Sequence, residues 1–188
     1  MAIDERLVFH EGKHVRLKVL DESDILESGW VGWFNDEQMC EFNQHHYFPN
    51  SFEKQREFLL ACQGPEKLQL GIIDRSSPDH ICGVVSLSAI NLVHRHAEIG
   101  GTQAMSQTRV NQAIFIESWK FMLKHGFEQL GLQKIYGGTF HPHVPGALRR
   151  MFNFEVEGLM KRHVFKQGDF HDVTLVAVYP DTVVYPEI

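Results

Sequence analysis

The run from Phe127 to Asp172 constrains the fold of this chain more than any other segment, because a stop or turn signal stands at each change of its periodicity. Gly131 follows the helical-period stretch ending at Leu130 and occupies the place of a helix C-cap, where left-handed backbone is needed and glycine adopts it without steric cost. Lys134 to Phe140 then reads as a strand and Pro145 to Phe152 as a short helix, with proline pre-set for the first turn and Asn153 as the stop. Two strands follow around Gln167-Gly168, a pair suited to a tight turn. Strand, helix and hairpin succeed one another without a linker, so the run predicts one side of a packed mixed layer.

Upstream, His14 to Val19 alternates, with Val15, Leu17 and Val19 on one face, as a half-buried strand does. Asp21 and Ser23 can cap helical turns through about Asn35, and Ser51 a helix through about Cys62 that ends at Gly64-Pro65. Lys67 to Asp74 and His80 to Leu92 read as a hairpin around Arg75 to Asp79, and His96 to Gln103 as the next strand. Ala113 to Leu130 carries two apolar stripes at helical spacing and predicts a largely buried helix. The expected class is α/β (α+β): a splayed, mixed central sheet of about seven strands with flanking helices and one strand-helix-strand crossover. With 188 residues, 43 % of them hydrophobic, residues 1–188 suffice for a single domain.

The net charge is -6 and no Lys/Arg run stands out, so a nucleic-acid partner is not expected. Met1 to Leu20 is charged throughout, and no apolar stretch is long enough to cross a bilayer, which predicts a cytoplasmic protein without a membrane partner. Cys40, Cys62 and Cys82 are odd in number and form no CxxC, a pattern of reduced thiols rather than disulfides or a zinc site. A monomer and a homodimer both remain open.

The element order resembles the GNAT N-acetyltransferase superfamily, within it the RimJ and RimL branch, over about residues 12 to 180. The residues that carry the resemblance are Phe127 to Ile135 at the helix-to-strand join, Phe154-Glu155-Val156-Glu157-Gly158 with Phe165, Gly168 and Asp172, Ala97-Glu98-Ile99-Gly100, and His14-Val15-Arg16-Leu17 with Asp24. It implies acetyl-coenzyme A as donor, no metal, and a V between the fourth and fifth of these strands. There unpaired backbone N–H groups would bind the pantetheine arm while the next helix N-terminus receives the pyrophosphate. That assigns the phosphates to Thr108, Arg109, Val110, Asn111, Gln112 and Ala113. Of these only Ala113 matches the family's glycine-rich pattern outright; Arg109 can supply charge-assisted bonds.

Amide formation needs a neutral amine, hence a base. The resemblance places Glu98 beside the thioester, and the bland alternative is a strand carboxylate paired with Arg95 or with solvent. Gly101, Thr102 and Gln103 are placed to offer a backbone N–H to the oxyanion. Where the family commonly carries a Tyr on the short helix, this chain has Arg149, which stays protonated and cannot act as an ordinary acid, but can bind the cofactor through its thiolate or a phosphate. Tyr136 and His143 are substitutes, and His141, in place of a frequent Asn, is a contact for the cofactor. Coenzyme A thiolate needs little help in leaving, so a dedicated acid is dispensable.

The acceptor, a small-molecule or peptide primary amine, is expected against the early helices and the loop from Phe42 to Pro49. Trp33, Phe34, His46 and Tyr47 are the candidate contacts, with Trp30 and Phe48 in the same aromatic set; core packing is the competing fate. A protein N-terminus and a nucleotide-linked amino sugar are both open as acceptors. A metal hydrolase built on His94, His96, His141 and His143 lacks a carboxylate at ligand spacing. A non-catalytic acyl-coenzyme A binder is the remaining alternative, motivated by the altered phosphate loop.

Overall fold

The computed structural model describes residues 4–62, 64–103 and 112–187. Its strands are β1 (Val8–Glu11), β2 (Val15–Val19), β3 (Leu68–Asp74), β4 (Ile81–Asn91), β5 (His96–Gln103), β6 (Lys134–Thr139), β7 (Glu155–Lys166) and β8 (Asp169–Val178). They form one sheet in the order β1-β2-β3-β4-β5-β6-β8-β7, antiparallel throughout except for the parallel neighbours β5 and β6. The helices are α1 (Glu22–Glu27), α2 (Trp30–Trp33), α3 (Phe52–Ala61), α4 (Gln112–Lys124) and α5 (Val144–Phe152).

The sheet thus has eight strands where the sequence predicts about seven. The addition is β1, four residues long and too short for a periodic signal. A distant side chain holds its turn into β2: the Glu117 carboxylate, on α4, accepts backbone N–H bonds from Lys13 at 2.7 Å, His14 at 2.6 Å and Val15 at 2.9 Å. A Cβ on Gly12 would lie 2.7 Å from the carboxyl carbon of this tethered side chain, so the turn approaches α4 as closely as glycine allows.

The helix ends follow their capping residues. Asp21 forms a capping box with α1, Ser51 accepts the Lys54 N–H at the start of α3, and Asn153 closes α5 in left-handed backbone at φ 63°. The long helix departs from expectation. It is α-helical to Lys124 and widens into a π-type turn over His125–Gln129. At this turn Gly126 packs so closely on the sheet that a Cβ would lie 2.7 Å from the Ile135 side chain.

Strand alternation divides the core in two. Val15, Leu17, Leu70, Ile72, Val85 and Leu87 face a cluster with Trp119, Met122 and Leu123 of α4 and Leu148 and Phe152 of α5. Ile73, Ile81 and Val84 point the other way and pack with Ile25, Trp30, Val31 and Trp33. Helices therefore cover both faces, α4 and α5 on one and α1 to α3 on the other.

Candidate active site

The β5–β6 ladder is three residue pairs long: His96 with Lys134, Ala97 with Ile135, and Glu98 with Tyr136. Beyond Glu98 the strands part, β5 following β4 to Gln103 and β6 following β8 to Thr139. Alternate residues of an antiparallel strand direct both backbone groups to one neighbour, so part of the N–H and C=O groups of Ile99–Gln103 face the gap instead of β4. A polar, extended ligand can take the place of the missing strand.

Two cavities meet at this split. One, of about 410 Å³, opens on the α4 and α5 face and is bounded by Phe115, Trp119, Gly137, Gly138 and Leu148. The other, of about 610 Å³, lies on the α1 to α3 face, with Ser86, Ser88 and Thr102 as its floor and residues 43–50 as its rim. Asn43, Gln44, Gly100 and Gly101 line both. Passage from one side of the sheet to the other is thus bounded by two amide side chains and two glycines. A Cβ on Gly101 would lie 3.0 Å from the Val84 carbonyl oxygen and 3.5 Å from Trp119 Nε1. Glycine here leaves the junction clear.

Strand register puts Ser88, Glu98 and Tyr136 in one row across β4, β5 and β6. Glu98 lines neither cavity; it shares the strand face of Gly100 and Thr102, pairs with Ser88 of the larger cavity's floor, and belongs to the last pair before the gap. Its carboxylate makes no hydrogen bond or ion pair among the described residues, so Arg95 does not hold it. Tyr136 lies outside both cavities, its ring edge-on to His96 at 5.7 Å with the Lys134 ammonium 5.8 Å from its centre. His143 is exposed at the start of α5, and its N–H donates to Nδ1 of His141 at 3.1 Å. His141 lines the smaller cavity, 4.4 Å from Phe42 ring to ring.

Of the residues assigned to the cofactor, Gly101 lines both cavities, Thr102 the larger one, and Gln103 ends β5. Gln112 and Ala113 form the first turn of α4, whereas Thr108, Arg109, Val110 and Asn111 lie outside the described residues. Arg149 is exposed on α5 and does not line the smaller cavity; Val144 and Leu148 of that helix do.

The acceptor-side candidates separate. Trp33 is 8 % exposed in the second core, while Phe34, His46 and Tyr47 line the larger cavity. The loop that carries the last two is pinned from β7: Tyr47 donates its hydroxyl to the Phe165 carbonyl at 2.9 Å, and Lys166 donates to the His45 carbonyl at 2.6 Å. Burial, together with the Lys166 charge, lowers the His45 pKa and favours a neutral imidazole. Asn43, Gln44, Ser86 and Ser88 were not singled out by sequence. Their polar type in a loop or on a strand face carried no sign that they would meet at the gap.

No protein-family model matches the sequence, and no curated protein does. Solved structures resemble it over nearly its whole length. A spermidine N-acetyltransferase from Vibrio cholerae, in complex with coenzyme A and spermine, superposes with a TM-score of 0.78 at 19 % identity, covering 91 % of this chain and 98 % of that one. RimL, a ribosomal L7/L12 alpha-N-protein acetyltransferase in complex with coenzyme A, gives 0.78 at 21 % identity, with 93 % and 99 % covered. A Salmonella typhimurium acetyltransferase that modifies the N-terminal serine of L7/L12 gives 0.73 at 20 % identity, with 89 % and 96 % covered. The chain has the GNAT fold. The parting of β5 and β6 is the V of that GNAT fold, and it falls between the two strands from which the sequence predicted it.

Proposed function

We propose that this GNAT-fold chain is an N-acetyltransferase that moves an acetyl group from acetyl-coenzyme A to a primary amine by direct attack in a ternary complex. The observation that carries the reading is the meeting of two cavities, one from each face of the sheet, at Gly100 and Gly101. A donor arm along the gap and an acceptor on the opposite face come within reach there.

The residues present fit such a donor. The gap offers main-chain groups for amide bonds, the smaller cavity is largely apolar in its lining, and glycine at 101, 137 and 138 keeps it open. Glu98 then takes the proton of the acceptor amine, directly or through water, and a backbone N–H of Gly101, Thr102 or Gln103 stabilises the oxyanion of the tetrahedral intermediate. The amine displaces a thiolate, which leaves readily near neutral pH because a free thiol has a pKa of about 8.5. Arg109, with the neighbouring residues before α4, receives the phosphates. Among the described residues no cysteine lines either cavity, which supports single-step transfer over a covalent enzyme intermediate.

Calorimetry with acetyl-coenzyme A and initial-rate kinetics by thiol release test the reading. Saturable binding and intersecting double-reciprocal lines with an amine acceptor are expected. Absence of binding at millimolar donor would overturn it, and parallel lines would overturn the single-step route. Arg109→Ala is expected to raise the donor's dissociation constant about tenfold, the loss of one charge-assisted contact.

A further inference from the structure

The charge of the larger cavity narrows the acceptor. Among the described residues its lining includes Lys54 and Lys67 and no aspartate or glutamate. The residues outside the described set, 1–3, 63, 104–111 and 188, contain no aspartate or glutamate either. Neither lysine has an ion-pair partner among the described residues. Lys54 donates to the Pro49 carbonyl at 2.7 Å, and the Lys67 ammonium rests 4.0 Å from the centre of the Phe58 ring. A third unpaired cation, Lys166, lies behind the rim at 7 % exposure, bonded to the His45 carbonyl and 4.6 Å from the Tyr47 ring centre. On a chain of net charge -6, three lysines without carboxylate partners make this cavity a local region of positive potential.

We infer that the acceptor is a primary amine carrying an anionic group, phosphate or carboxylate, that binds against Lys54 and Lys67 with its amine turned to the Gly100–Gly101 junction. The inference rests on the acetyltransferase reading and adds the substrate class. The charges are separated along the site: cations stand at the rim, while Glu98, outside the lining, pairs with Ser88 of the floor and ends the β5–β6 ladder beside the junction. A dipolar acceptor is therefore oriented before it reacts. A polyamine meets the opposite field, since the lining gives its second and third ammonium groups no counter-charge and two like charges.

Charge-matched pairs test this: glucosamine 6-phosphate against glucosamine, and the peptide Ser-Asp-Glu-Glu against Ser-Asn-Gln-Gln, with spermidine as the cationic probe. In at least one pair the anionic member is expected to have kcat/KM at least about tenfold higher, spermidine to be poorest, and the preference to shrink as salt rises. The pair that shows the preference tells a phosphorylated small molecule from an acidic N-terminus. Lys54→Met with Lys67→Met is expected to raise KM for the preferred anion about tenfold and to improve spermidine. Spermidine or the neutral members reacting as well as the anions, or a preference unchanged in the double variant, overturns the inference. If no amine turns over, the acetyltransferase reading fails separately, and calorimetry of the two phosphate and carboxylate probes against the wild type and the double variant decides the charge question. Binding of an anion that the lysine substitutions weaken supports it, and no anion binding, or binding they leave unchanged, refutes it.

Discussion

At the scale of single residues the candidate chemistry depends on two positions with opposite requirements. On the proposed reading Glu98 presents a free carboxylate to the acceptor, and Gly101 presents nothing. Glu98→Gln keeps the shape of the side chain and removes its basicity, so kcat is expected to fall about 100- to 10,000-fold while calorimetry shows the donor bound as before. An unchanged pH–rate profile in that variant would contradict the role. Gly101→Val would crowd the Val84 carbonyl and Trp119 at the junction. Turnover is expected to disappear with the circular dichroism spectrum retained, and full activity would mean that the transfer takes place elsewhere. The place of Gly101 at the junction was legible in the sequence, because a strand pattern interrupted by paired glycines is a local signal; Glu98 was singled out through the resemblance alone. Trp33 was not assigned correctly by its neighbours in sequence: an aromatic residue in a helical segment looks the same whether it lines a cavity or, as here, fills the second core.

At the scale of elements, local signals sufficed where a cap or turn residue defines an end, as Asp21, Ser51, Asn153 and the Gln167-Gly168 turn do. They failed where one element depends on another far along the chain. β1 pairs with β2, but the turn between them is held by Glu117, more than 100 residues away, and neither partner announces the other. Glu117→Gln keeps one acceptor oxygen, removes the charge and replaces the other oxygen with an NH2 donor facing backbone N–H groups. With charge-assisted bonds contributing about 1.5–3 kcal/mol each, a loss of about 2–3 kcal/mol is expected. It would appear as a lower urea midpoint at constant slope. The meeting of Asn43 and Gln44 with the gap is of the same kind: the loop was legible as acceptor side, but its docking onto the split comes from tertiary contacts with Phe165 and Lys166.

At the scale of the whole molecule, β6, β7 and the segment after β8 are joined by a clasp: Lys134 bonds to Glu157 at 2.5 Å, and Tyr179 donates its hydroxyl to the same carboxylate. The bond to Glu157, aided by burial, pushes the Tyr179 phenol up to about 12, and the Lys134 contact, with that of Tyr179, holds Glu157 below the ordinary carboxylate value. The phenol's contribution is complete below its unfolded value of about 10 and is lost as pH rises through about 12. That of Glu157 is present above its unfolded value and fades as pH falls through its lower folded one. Tyr179→Phe is therefore expected to flatten the alkaline side of the stability curve, checked by urea midpoints at neutral and alkaline pH. The gap itself leads further. The polar groups it leaves unpaired by a strand belong to the main chain of β5, which every amino acid carries, and its side-chain contribution is largely the absence of side chains at a few glycines. A site composed this way survives extensive replacement of the residues around it. It leaves a family likeness of shape at 19–21 % identity, where matching of sequences finds nothing to hold.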